Sequence, residues 1–213
     1  LSELPEAGTG RTEAFSDGVL AVAITLLVFD LVTPMYSRGH LDHALLSLWP
    51  SYIAFLSSFV IVGVIWVNHH AIFRQIRTVD AALNWANMAL LLGAVVVPFP
   101  TKVLADALRS GDLADERAAI ALYSVVTTYI AASWYVFYVV LYRQYHLADQ
   151  SVERRQLRRQ RVRSLIGIAA YLLATAVGFA VPLAGLATYG IMALFYAITS
   201  EGLRGPPSER SAS

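Results

Sequence analysis

Glu13, Asp17, Thr25 and Asp30 stand in a stretch that is otherwise apolar, running from Arg11-Thr-Glu-Ala-Phe15-Ser-Asp17 through Val22 to Phe29-Asp30. Carboxylates at such spacing could move protons, hold cations or tie helices together. Asp17 with His69 would suit acid–base work, yet the pair alone does not define a reaction centre. The chain has no nucleophile elbow, zinc motif or glycine-rich phosphate loop, so an enzyme is not expected. His69 and His70 are adjacent, and on a helix they diverge by about 100°. A shared metal, which wants ligands on one face, is therefore not expected either. Hydrogen bonding with Trp66, Asn68 and the Asp17 region is the better use for them. With no cysteine present, disulfides, thiolate metal sites and thiol nucleophiles drop out.

The elements that must position these residues are membrane helices. Hydrophobic residues make up 57% of the 213 and charged ones 15%, and the mean hydropathy is +0.56. A soluble fold of this size has too little interior for so much apolar side chain, whereas lipid accepts it on every outward face. Apolar runs fall at roughly 14–33, 46–69, 82–104, 118–142, 164–182 and 183–200, each near the ~20 residues that cross a bilayer core. The last two are one run, broken at Pro182-Leu-Ala-Gly185. Pro98-Phe99-Pro100 is expected to disrupt the end of the third span. Trp49, Tyr52, Trp66, Trp85, Trp134 and Tyr142 suit an interfacial belt. Leu1 to Gly10 is polar, without a basic-then-apolar leader, so no signal peptide is expected.

The fold class that follows is all-α and polytopic, with six transmembrane helices in one domain over residues 1–204 and a polar tail over 205–213. If the N-terminus is cytoplasmic, 12 of the 16 basic residues face inward and only Arg38, Lys102, Arg109 and Arg117 face out. The positive-inside rule then sets both termini in the cytoplasm of a cell-membrane protein. Arg154, Arg155, Arg158 and Arg159 form a helical stripe, read as a solvated extension lying against anionic lipid. Nucleic acid is not an expected partner, since no aromatic residues interleave with the basic ones.

A carboxylate deep in lipid costs roughly 2.5–3.5 kcal/mol on insertion scales, so the first span is not a plain anchor. Val22, Leu26 and Phe29, at i, i+4 and i+7, share one of its faces. Their spacing alone also fits ordinary packing.

Arg11-x-x-x-Phe15-Ser16-Asp17 at the start of a first transmembrane helix resembles the signature of the lysosomal potassium channel family, transmembrane protein 175, and its bacterial homologues. Trp66-Val-Asn68-His69 resembles the polar cluster that accompanies it, and the six-span layout matches one repeat. The resemblance implies a homotetramer in the bilayer, with four first helices around a path for potassium ions. It makes Val22 the hydrophobic constriction, Leu26 and Phe29 further pore-facing layers, and Thr25 the selectivity residue. Arg11, Phe15, Ser16, Asp17, Trp66, Asn68 and His69 become structural, and no cofactor is implied. Val22 is smaller than the isoleucine or leucine usual there, and Phe29 bulkier than the usual aliphatic residue.

A ring of apolar side chains sheds water and so blocks ions without a plug. Selectivity would then rest on partial dehydration, helped by Thr25 directly or through Ser57 or Ser58 on the second helix. Asp30, Asp106 and Asp112 could gather cations at the outer mouth. Thr188-Tyr-Gly190 matches part of the common potassium-filter sequence, but sits inside a span with no room for a re-entrant loop. A proton-conducting channel or a secondary cation transporter is the alternative, although paired broken helices, the usual transporter device, are not evident.

Overall fold

The structure, a computed structural model, describes residues 7–31 and 34–199, with the side chains of Ala7, Leu186, Ala193 and 196–199 left aside. Short strand β1 (Ala7–Gly8) precedes helix α1 (Gly10–Leu26), which ends in a 3-10 turn, Leu27–Asp30. A seven-residue helix, α2 (Leu41–Ser47), leads into α3 (Trp49–Phe73). Strand β2 (Thr78–Val79), then α4 (Ala81–Val96), α5 (Pro98–Ser110), α6 (Leu113–Arg143), α7 (Arg154–Ala180) and α8 (Pro182–Thr199) complete the order. Among the described residues, five stretches are long and apolar enough to cross a membrane: Gly10–Asp30, Trp49–Phe73, Ala81–Ser110, Leu113–Arg143 and Arg154–Ala180. The sixth apolar helix, α8, is shorter than any of them, with 18 residues. The chain is thus an all-α polytopic membrane protein, apart from one two-stranded pairing.

Pro98-Phe99-Pro100 interrupts the helix at Val97, where α4 gives way to α5, but the apolar span runs on through it. Both prolines fall in the first turn of α5, where a missing N–H costs nothing, and Val97 between α4 and α5 keeps helical dihedrals. The result is a span of 30 residues from Ala81 to Ser110, two helices joined at Val97, closed by Gly111 at φ +69°. At Pro182 the expected break is real: Val181 is extended, and the chain turns back as α8. That hairpin is tight because Gly178 and Gly185 face each other. A Cβ on Gly185 would lie 2.5 Å from the Gly178 Cα. The arginine stretch forms the first three turns of α7, the helical extension its spacing predicts.

Helix capping explains where the rods start. The Asp80 carboxylate accepts from the Leu83 amide at 2.8 Å, and Asp112 accepts from the amides of Ala114 and Asp115 at 2.8 and 3.1 Å. Buried hydroxyls fasten the middle of the bundle. Ser58 on α3 bonds Thr101 on α5 at 2.6 Å and Tyr123 on α6 at 3.0 Å. Ser124 on α6 bonds Thr175 on α7, which lies 3.3 Å from the hydroxyl of Tyr189 on α8. In a setting without water such groups must find protein partners.

The apolar core has two parts. The larger, including Leu20, Leu27, Val62, Leu90, Leu104, Ile120 and Tyr189, fills the bundle. The smaller gathers Phe73, Leu83, Phe137, Leu141, Leu147 and Leu157 at the end where α3 and α6 finish and α4 and α7 begin. At that end β1 pairs antiparallel with β2, Ala7 opposite Val79 and Gly8 opposite Thr78. Ile76 bridges Ala148, and two hydrogen bonds from Ser151 hold the nearby Asp149 carboxyl below its ordinary range.

Candidate functional site on the first helix

Two faces of α1 have different fates. Ser16, Leu20, Ala23, Leu27 and Asp30, at steps of three and four, are buried against α3, α4 and α5. The opposite face is open. Phe15 is 53% exposed, Val22 57%, Leu26 40% and Phe29 75%. Thr25 is exposed beside them, its hydroxyl donating to the Val22 carbonyl at 2.8 Å. From Gly18 to Phe29 this face carries no charge. Of the five long spans, this one is the least buried within the subunit: 22% of its apolar window, against 50% for the third and fourth.

The buried face is held by a chain of hydrogen bonds near the start of α1. Asn87 Nδ2 on α4 donates to Ser16 Oγ at 2.9 Å, and Ser16 Oγ donates to the Thr12 carbonyl at 2.8 Å. His69 Nε2 on α3 donates to Asn87 Oδ1 at 2.9 Å, which requires the Nε2–H tautomer. The His69 ring stacks on Phe73 with centroids 4.2 Å apart, and its Nδ1 is buried without a partner. Further out, Trp66 Nε1 donates to Asp17 Oδ1 at 3.0 Å and Thr12 Oγ1 donates to Asn84 Oδ1 at 3.1 Å. His70 Nδ1 lies 3.1 Å from Glu13 Oε1. Three helices are thereby locked to one another at one level.

The structure brings Ser16, Asp17, Trp66 and His69 together, as the sequence suggests. It leaves Arg11 and Phe15 on the open side of α1. Asn68 does not join the cluster. Its Nδ2 donates to the Val64 carbonyl one turn back, at 2.9 Å, because Asn68 points about 100° away from His69 on the helix. The residue that fills the role is Asn87, which joins His69 to Ser16 and is not among the residues expected to be functional. A second asparagine in an apolar span, three residues after Asn84, is the signal in the sequence that points to it.

The hydroxyl partners suggested for Thr25 are also spoken for. Ser58 belongs to the Thr101–Tyr123 network, and Ser57 lies against Gly190 of α8. Nor do the acids form an open ring at the far end. Asp30 is buried, with Oδ2 unpartnered; Asp106 pairs with Lys102 at 3.4 Å and with Arg109; Asp112 caps α6. Tyr189, within the short match to the potassium-filter sequence, is buried inside α8. No cluster of three or more metal-binding side chains occurs among the described residues.

The family described as endosomal/lysosomal potassium channel TMEM175 matches residues 11–98. A potassium channel of Streptomyces collinus is 41% identical over 189 residues, spanning 88% of this chain and 91% of its own. The crystal structure of a lysosomal potassium-selective channel TMEM175 homologue from Chamaesiphon minutus superposes with a TM-score of 0.78. It is 35% identical and covers 90% of this chain and 97% of that one. The human endosomal/lysosomal proton channel TMEM175 matches at 37% identity over 87 residues, 36% of this chain and 17% of its own.

Proposed function

This chain belongs to the TMEM175 family of potassium channels, and from that premise we propose that it forms a homotetrameric, potassium-permeable pore lined by the open face of α1. The family is one of ion channels, not enzymes, and the protein is a multi-pass membrane protein. The finer reading rests on one observation: the least buried long span offers an uncharged face bearing Val22, Thr25, Leu26 and Phe29. Asp17 and Glu13 are engaged with α3, so α1 can be exposed there without presenting a carboxylate.

Four such faces around one axis make stacked apolar rings. Val22 gives the constriction nearest the locked end, with Leu26 and Phe29 beyond it. The small valine makes a wider ring than isoleucine or leucine would, and the Phe29 ring adds a further apolar layer outward of it. Water leaves such rings, and ions stop until they widen. Thr25 supplies the one hydroxyl layer on this face. Its bond to the Val22 carbonyl leaves its oxygen lone pairs able to face a partly dehydrated cation. Preference for potassium over sodium is accordingly modest, resting on the lower cost of stripping water from potassium.

The channel domain is residues 1–204, with the tail 205–213 outside the described residues. Of the described basic residues, ten lie at the end shared by the α1 start and the α7 start, and four at the other. That asymmetry favours a cytoplasmic location for both termini.

Since the chain has no cysteine, Val22→Cys and Phe29→Cys introduce single thiols. Oxidation should cross-link subunits in pairs, and reconstituted vesicles should pass potassium down its gradient. A pH-gradient arm separates proton flux, the activity in the human relative's name. Thiols that stay uncross-linked, in protein that runs as a monomer with full flux, would overturn the assembly.

A further inference from the structure

We propose that the groove between α6 and α7, at the arginine-rich end, binds the phosphate headgroup of an anionic membrane phospholipid. The site is separate from the face of α1 and needs no assumption about the pore. Tyr135 and Tyr142 of α6 and Arg158, Arg161, Val162 and Leu165 of α7 enclose a cavity of about 230 Å³.

Positive charge converges there without an answer. The Arg161 guanidinium lies over the rings of Tyr142 and Tyr135, at 5.0 and 5.9 Å from their centroids. Arg154 lies over the same Tyr142, at 5.8 Å, and over Tyr145 at 4.7 Å. Arg158 completes the rim. Between Arg154 and Ala180 the helix contains no acidic residue. Among the described residues no carboxylate lies within 4 Å of Arg154, Arg158 or Arg161. Aromatic faces offset part of that repulsion, but they satisfy no N–H. The buried Nε of Arg161 has no acceptor at all. A planar guanidinium with open N–H edges and a neighbouring arginine is what a phosphate oxygen pair recognises.

The groove's position selects the source of that phosphate. Val162 and Leu165 floor it and are half exposed, and they begin the apolar stretch with which α7 enters the membrane. A headgroup at Arg158 and Arg161 therefore has its acyl chains directed along Val162 and Leu165. A free phosphate would leave those two side chains facing water. Tyrosine and arginine at this boundary, with guanidinium groups over ring faces, suit the headgroup level of a bilayer.

The test uses the full chain purified in detergent, titrated with phosphatidylglycerol, with phosphatidylcholine of the same acyl chains, or with inorganic phosphate. Melting temperature and lipid retained in native mass spectra are the readouts. Phosphatidylglycerol should raise the melting temperature and stay bound, and the other two should do neither. Arg161→Gln and Arg158→Gln should each weaken phosphatidylglycerol tenfold or more. Arg159→Gln, which removes the same charge outside the groove, should weaken it by no more than the roughly fivefold of diffuse attraction to one charge. Equal losses in all three variants, protection by phosphatidylcholine, or protection by inorganic phosphate alone would each overturn the proposal. If Arg161→Gln does not fold, Arg158→Gln decides, since Arg158 is exposed.

Discussion

The two faces of α1 divide its labour in the opposite way from what residue type suggests. The polar residues, which look like the chemistry, are engaged within the subunit: Ser16 with Asn87, Asp17 with Trp66, Glu13 with His70. The apolar residues of the other face, Val22, Leu26 and Phe29, look like packing yet stay exposed on their own subunit. In a membrane this inversion is physical. A carboxylate or hydroxyl costs so much in lipid that it is retained where it is satisfied, whereas an apolar side chain is free to face lipid, a second copy or a dewetted path.

If the faces are independent, changes on one should leave the other's readout alone. The largest effect is expected from Asn87→Ala, which strands His69 Nε2 and removes the donor to buried Ser16. It should cost about 2–4 kcal/mol, seen as a lower melting temperature, while ion preference in the surviving channels stays unchanged. Val22→Ser should do the reverse, raising potassium leak from vesicles about tenfold, an effect of roughly 1.4 kcal/mol on the closed state, with melting unaltered. Trp66→Phe removes only the N–H that meets Asp17. A loss of about 1 kcal/mol in stability is expected, again without altered flux per channel. Smallest is Thr25→Val, which should cut potassium-over-sodium preference roughly twofold, about 0.4 kcal/mol, read as a shift in reversal potential under bi-ionic conditions. A change in ion preference from Asn87→Ala, or in melting from Val22→Ser, would dissolve the division.

How much of this was visible in the sequence depends on the kind of signal. Apolar runs in a bilayer are long and unambiguous, so the spans and the Pro182 break could be read directly. The effect of Pro98 and Pro100 could not, because it turns on whether they occupy a first turn or an interior one. Asp17 and Ser16 announced that α1 had partners, but not which. Asn68 and Asn87 are equally polar and equally placed in apolar runs, and only the rotations of α3 and α4 decide that one bonds its own backbone while the other bridges three helices. The Ser58–Thr101–Tyr123 set joins residues 43 and 65 positions apart, a proximity that no local pattern encodes. The groove beside Arg161 depends on Tyr135 and Tyr142 being one helix away.

The lock at the foot of α1 makes the helix a lever. Hydrogen bonds at Ser16 and the β1–β2 pairing fix one end directionally, while above them Leu20, Ala23 and Leu27 touch their neighbours through apolar surfaces that can slide. At 1.5 Å of rise per residue, Val22 sits about 9 Å from that fulcrum and Phe29 about 20 Å. A tilt of roughly 5° therefore carries Phe29 by nearly 2 Å and Val22 by less than 1 Å. In the proposed pore, rocking of this kind would part the helix tips first and the base last.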